Sequence, residues 1–544
     1  MVAPPLPESC LVRQTLRRMA LGLGLLAAVA AGGSQLFAAE GQGQAQVERW
    51  GLFELTLPGP AEGNPFTEVT LMATFTSGPG TAAHEVTGFY DGDGVYKVRF
   101  MPETTGEWRY VTHSNRGELD AKAGAFTAVA PGPANHGPVS VHRTFHFAYA
   151  DGSPYWQLGT TCYSWIHRSE EREEQTLRTL AGAPFNKIRM CVFPQDHPAA
   201  EQRFFPFAGS PPRHWDTTRF NPAFFRHLEQ RVAQLRDLGI EADLILFHPY
   251  GKEWGFSSMD AASDDRYLRY LVARLAAYRN VWWSLSNEYD FNRDKQESDW
   301  DRLFQVVQAA DPYGHLRSIH NGTLIYNHTL PWVTHASIQN GAAVLDPERA
   351  VLYRDVYRKP IVFDEVKYEG DIERRWGQLS APELVMRFWN GLIAGTYVGH
   401  SEIFRRPADS WLAGGGELRG QSVARLAFLR RLMADMPADG IEPIDKWQDR
   451  RTGGQPGEFY LVYFGADAPA AWPFVLFKDE LKDGLIFQAE IIDTWNMTVT
   501  PVPGTFVTKK RDAYVFEDAE KKSIALPGKP YLALRIRRVA SPAR

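Results

Sequence analysis

"VWWSLSNEYD", residues Val281 to Asp290, is the stretch that decides the fold. Branched and aromatic residues write a buried strand, and the run then stops on Asn287 and Glu288, an amide and a carboxylate side by side. Removing a carboxylate from water is costly unless something compensates, so a buried strand that ends this way delivers its acid to a site. Seven other runs share the pattern of an apolar stretch closed by polar side chains: "YWQLGTT", "FNKIRMCVF", "EADLILFH", "LRSIHNG", "HASIQN", "PIVFDE" and "GTYVGHSE". Helical stretches separate them. Asn221 caps the clearest one, Pro222 fits its first turn, Phe225, Leu228, Val232 and Leu235 form its apolar stripe, and Gly239 ends it. Eight strand-plus-crossover units across residues 143–438 are what a (β/α)8 TIM barrel requires. An open doubly wound sheet would carry a Gly-rich phosphate turn after an early strand, and the sequence has none.

The flanks are different. Residues 46–130 are short alternating strands: "TEVTLMATF" puts Val69, Leu71, Ala73 and Phe75 on one face, which predicts an immunoglobulin-sized β-sandwich. The Asp91-Gly92-Asp93-Gly94 run is explained by turn chemistry rather than by calcium. Residues 131–142 are a Pro/Gly linker, and "HFAYADGSPYWQLG" after it is a hairpin turned at Asp151-Gly152. Residues 439–544 return to strands such as "EFYLVYFG" and "YLALRIRRV", predicting a second, smaller β-sandwich.

With 59 basic against 64 acidic residues the formal charge is -5, so no polybasic surface awaits nucleic acid. Residues 1–39 read as an export signal. Arg13, Arg17 and Arg18 precede an apolar run, Met19 to Ala31, too short for a membrane span, and cleavage is expected near "LFAAE". The expected location is periplasmic or extracellular, with no membrane partner once the signal is removed; the sequence does not determine an oligomeric state. Cys10 leaves with the signal. For Cys162 and Cys191, inert packing and a single disulfide both stay open. Without H-x-H on the first strand, H-E-x-x-H or close Cys/His spacing, neither a metal nor a cofactor is expected, and no Gly-x-Ser-x-Gly elbow is present.

A barrel's chemistry gathers at the C-terminal ends of its strands. There the sequence offers Arg189 on the second, His248 on the third, and Asn287 with Glu288 on the fourth. The fifth offers His320 and Asn321, the sixth Gln339 and Asn340, the seventh Asp364 and Glu365, and the eighth His400 and Glu402, with Trp411 in the loop beyond. Strands four and seven lie across the mouth from one another. Glu288 and Glu365 can therefore face one sugar from two sides, as glycosidic cleavage demands. Trp165, Trp254 and Trp376 are candidates for sugar stacking. Lys252, Arg293, Lys367, Arg405 and Arg406 fall in loops after strands; they suggest a basic rim suited to uronate-bearing polymers, ordinary solvated charge being the rival reading.

Asn-Glu closing strand four and Glu closing strand seven resembles the retaining glycoside hydrolases of clan GH-A, the 4/7 superfamily. The order sandwich, barrel, sandwich, with "FHFAYADGSPYWQLGTTCYSW" at the barrel entrance, is similar to the apiosidase-like enzymes, typically secreted bacterial proteins acting on plant cell-wall polysaccharides. The resemblance implies Glu288 as general acid/base, Glu365 as nucleophile and Asn287 as the amide binding the hydroxyl beside the reacting carbon. It implies Arg189 as the group holding the nucleophile ionised, and His248 as a subsite wall. This sequence departs from the pattern in two places. Gln339 or Asn340 stands where a His or Tyr follows strand six, and the strand-eight Trp is displaced to Trp411, with Glu402 nearer the strand. Asp364 is noted because some apiosidase-like relatives use an aspartate in the catalytic pair. The implied activity is double-displacement cleavage of plant cell-wall-type, including pectic, saccharides. The alternatives are a carbohydrate-binding barrel without turnover, and an inverting hydrolase or polysaccharide lyase in the same cleft.

Overall fold

Eight short parallel strands lie at the centre of the chain: β1 (Gly159–Thr161), β2 (Lys187–Cys191), β3 (Glu241–Phe247), β4 (Val281–Ser286), β5 (Arg317–Ser318), β6 (Ala336–Gln339), β7 (Ile361–Glu365) and β8 (Tyr397–His400). Each falls inside one of the runs expected from the sequence. Their order is β5-β4-β3-β2-β1-β8-β7-β6, and a bridge between His320 and Ser337 joins the two ends. This is the (β/α)8 barrel. The computed structural model describes residues 45–539 apart from 79, 81, 196–201, 406–409, 446–448 and 478–479. Residues 1–39, expected to be an export signal, and Arg406 lie outside the described residues.

β2 and β3 are buried at every position, because helices cover their outer faces and the barrel encloses the inner ones. Ile188 and Met190 of β2 pack with Leu228, Val232 and Leu235 of helix Pro222–Asp237. The alternate residues, Lys187 and Arg189, turn inward. The helix begins as its sequence requires: the Asn221 side chain accepts from the Ala223 amide, and Gly239 beyond the far end takes the left-handed conformation (φ 70°).

The linker is more structured than its composition suggests. Val139–His142 forms a strand paired with His146–Tyr149, while the expected partner across Asp151-Gly152 contributes only the Ala148–Pro154 bridge. The hairpin has a task that Pro/Gly content does not reveal. Phe147 and Tyr155 pack on Trp282 of β4 and seal the barrel beneath the site.

The N-terminal segment is a five-stranded and a three-stranded sheet facing each other across Phe53, Phe75, Phe100 and Phe126, with ring pairs stacked at 4.1 Å. It is fastened to the barrel by buried ion pairs. Arg99 reaches Glu229 at 2.9 Å, and Arg274 reaches Asp91 at 2.8 Å. In the C-terminal segment, a nine-stranded sheet contains Phe459–Tyr463, buried at all five positions. Tyr460 and Val462 face that segment's own core; Phe459, Leu461 and Tyr463 face barrel helix Ala381–Ile393, where Tyr463 stacks on Trp389 at 5.4 Å. Among the described residues no helix is long and apolar enough to cross a membrane. Cys162 and Cys191 are both free and buried.

Candidate active site

β4 ends at Ser286, and the Asn287 amide still bonds the Phe247 carbonyl of β3 at 3.0 Å. Glu288 then turns left-handed (φ 42°, ψ 53°), a costly conformation for a residue with a side chain. The following turn holds it there. The Tyr289 amide donates to the His320 carbonyl at 3.0 Å, and the Asp290 carboxylate accepts from the amides of Thr323 and Leu324, each at 2.8 Å. Glu288 is thereby aimed into a cavity of about 810 Å³ that Glu365 also lines.

Glu365 closes β7, on the opposite wall. The Tyr163 hydroxyl, from the loop after β1, donates to its Oε1. Arg189 Nη1 stands 3.6 Å and His320 Nε2 3.5 Å from the same oxygen. Arg189 also donates to Asn287 Oδ1 at 3.0 Å, and the buried Asn287 Nδ2 has no partner among the described residues. Gln339 is the neighbour of Glu365 in the β6–β7 register. With its amide oriented to suit its surroundings, its nitrogen is 3.3 Å from Glu365 Oε2 and 3.1 Å from Glu288 Oε1. Those two carboxylate oxygens are thus no farther apart than the two contacts laid end to end.

The environments push the two acids in opposite directions. Burial, reinforced by the charge of Glu365 and only partly offset by Gln339, raises Glu288 to about 8. Burial acts upward on Glu365 too, but His320, Arg189 and Tyr163 outweigh it and bring that carboxyl down to about 2. At neutral pH one is a proton donor and the other an anion.

The remaining candidates divide. Asn340 lines the cavity, yet its side chain is engaged in structure, donating to Tyr353 and accepting from the Ala342 amide. His248 bonds the Phe193 carbonyl at 3.0 Å and stacks on Tyr250, which does reach the cavity. Asp364 is buried below Glu365 and paired with Lys187 at 2.9 Å. His400 bonds Thr160 and stacks on Phe185 in the interior, and Glu402 accepts from the amides of Arg419 and Gly420. Trp411, Trp165 and Trp254 are buried with their indole N–H groups bonded to Thr160, Met190 and Gln195, so none presents a face to the cavity. Trp376, 40% exposed, does line it. Of the basic-rim candidates Lys367 lines the cavity, Arg405 pairs with Glu373, and Lys252 and Arg293 are not on the wall.

Sequence reasoning missed Tyr163, Lys187, Ser337 and Arg375. Tyr163 carried a faint signal as the aromatic hydroxyl ending "TTCY", and Lys187 another as a charge alternating with Ile188 and Met190 in a buried strand. Among the described residues no group of three or more His, Cys, Asp or Glu is placed to hold a metal ion.

A barrel with two unlike carboxyl groups facing one cavity is the framework of a glycosidase. The comparisons agree. Residues 142–402 match the family model "Apiosidase-like, catalytic domain", and residues 46–115 and 447–537 match two domains of unknown function. The chain is 42% identical to a protein from Bacteroides vulgatus ATCC 8482 whose crystal structure is described as that of a candidate glycoside hydrolase. The match covers 91% of this chain and 100% of that one, with a TM-score of 0.87. The chain belongs to the same glycoside hydrolase family as that protein, and its barrel segment carries an apiosidase-like catalytic domain. A family 5 glycoside hydrolase from the same organism shares the fold at 16% identity, covering 75% of this chain and 95% of that one, with a TM-score of 0.56. No curated protein matches.

Proposed function

We propose that this protein is a retaining glycoside hydrolase of the clan GH-A type, with Glu365 as nucleophile and Glu288 as general acid/base. The observation that carries the reading is two carboxyl groups bridged by one amide across the barrel mouth, with Tyr163, Arg189 and His320 gathered on Glu365. Retaining pairs stand about 5–5.5 Å apart and inverting pairs about 6.5–9.5 Å, the latter leaving room for a water. The bridging Gln339 amide supports the shorter class.

Oε1 of Glu365 is held by Tyr163, Arg189 and His320, so Oε2 is the oxygen that attacks the anomeric carbon. As that bond forms, the glycosidic C–O bond breaks and Glu288 gives its proton to the departing oxygen. Glu288, now ionised, takes a proton from water, whose oxygen displaces Glu365 from the glycosyl-enzyme. Two inversions restore the configuration. The unpartnered Asn287 Nδ2 is left to donate to a sugar hydroxyl beside the reacting carbon.

Lys367 and Arg375 line the cavity, and among the described residues neither has a carboxylate within ion-pair distance. They support a uronate-bearing, pectic-type substrate over a neutral glucan, and export to a compartment where such polymers occur fits the N-terminal segment. NMR of the first-formed anomer tests the mechanism: retention is expected, while inversion or an unsaturated product would overturn it. Inhibition by polygalacturonate no stronger than by neutral glucan would remove the substrate reading.

A further inference from the structure

The hydrogen bonds behind Glu365 have a direction that can be worked out. Lys187 Nζ lies 2.9 Å from Asp364 Oδ1 and 2.7 Å from Asp243 Oδ2, all three side chains buried, and Arg189 Nε is 3.9 Å from Asp364 Oδ2. Burial acts upward on Asp364, but Lys187 and Arg189 outweigh it and hold the group well below the usual carboxylate range. An ionised carboxylate only accepts hydrogen bonds. Ser337 Oγ, 2.6 Å from Asp364 Oδ2, therefore commits its single proton there. Its oxygen remains as acceptor for His320 Nδ1 at 2.9 Å, so Nδ1 carries a hydrogen.

That leaves the other ring nitrogen. His320 is fully buried, and among the described residues Nε2 has no hydrogen-bond partner; the group it faces is Glu365 Oε1 at 3.5 Å. A bare lone pair on Nε2 would repel the carboxylate oxygen that Tyr163 and Arg189 also hold as an anion. A second proton converts the repulsion into attraction. Of the other titratable groups nearby, His328 and His335 are buried and pushed down to about 3, hence neutral, and Lys187 is engaged with Asp243 and Asp364. Arg189 adds its charge to the same Glu365 oxygen, 3.6 Å from Nη1, but does not cover the Nε2 lone pair.

We propose that the Asp364–Ser337–His320 chain holds His320 as a doubly protonated imidazolium that keeps Glu365 ionised. Asp364 and Ser337 are then positioning residues for the nucleophile, and Asp364 is not a member of the catalytic pair. The proposal rests on Glu365 being the nucleophile.

Nitrogen-15 NMR of histidine-labelled protein reads each ring nitrogen without turnover. The His320 signals, assigned by their loss in His320→Gln, are expected to show both nitrogens protonated at pH 7, and a bare nitrogen there would overturn the proposal. Ser337→Ala is expected to lower kcat/KM roughly tenfold, the worth of one hydrogen bond to a charged group. The same change should move the acid limb of the pH profile up by about one unit with KM little altered. Ser337→Thr, which keeps the hydroxyl, should restore both. Lost activity with an unmoved acid limb would mean a merely structural serine and would also overturn the relay. Should Glu365→Ala retain turnover, the assignment of the nucleophile fails, whatever the NMR of the resting enzyme shows.

Discussion

Replacing Glu288 by Ala removes a proton donor, and the structure sets how much that donor is worth. At pH 7 a glutamate carboxyl at its ordinary value of 4.5 is protonated in about one molecule in 300, whereas one at about 8 is protonated in about nine of ten. Burial and the neighbouring Glu365 therefore raise the population of the working acid by about 300-fold, inside the ~10²–10⁴ contributed by general acids. Glu288→Ala should lose about 10²–10⁴ in kcat/KM on substrates that leave as a sugar alkoxide. With a nitrophenolate leaving group, which needs no proton to depart, most of the loss in the first step should vanish. The assay is a series of aryl glycosides spanning leaving-group basicity, with a steep dependence in the variant and a shallow one in the parent. The basic limb near pH 8 should also disappear from the variant's profile. Equal rescue of Glu365→Ala by the same leaving group, or a basic limb that survives in Glu288→Ala, would refute the assignment of roles.

Other consequences can be measured independently. Glu365 must be anionic and is so above about 2, and Glu288 must be protonated and is so below about 8. kcat/KM should therefore hold across the acid and neutral range and fall as pH rises through about 8, in any buffer where the fold survives. Tyr163→Phe removes a donor to the ionised nucleophile, so its acid limb should move upward and kcat fall roughly tenfold, read in the same titration. Trp376→Ala should raise KM with kcat little changed, because the half-exposed indole lines the cavity wall and has no hydrogen bond to either carboxyl group among the described residues. Lys187→Met strands Asp243 and Asp364 in the barrel interior and should cost about 3–5 kcal/mol of stability, measured by denaturant unfolding.

The proposed catalytic pair could be picked out because a carboxylate at the end of an apolar strand is costly wherever it is not useful, and both Glu288 and Glu365 stand at such ends. Residues whose value lies in their partners were misread or missed. Glu402 has the same sequence context as Glu365, yet its oxygens are taken by the amides of Arg419 and Gly420, about seventeen residues on in the chain. Trp165, Trp254 and Trp411 differ from Trp376 only in exposure, which no local pattern encodes. Tyr163 reaches Glu365 from the opposite end of the barrel sequence, a separation of 202 positions that only strand order brings together.

By itself the sequence determined the alternation of strands and helices, the flanking sheets and the strand ends that carry acids, because hydrophobic period, caps and turn residues act locally. Tertiary structure alone decided which acid keeps its proton. Glu288 and Glu365 are chemically the same side chain, and only closure of the barrel sets one against burial and a like charge and the other against His320, Arg189 and Tyr163.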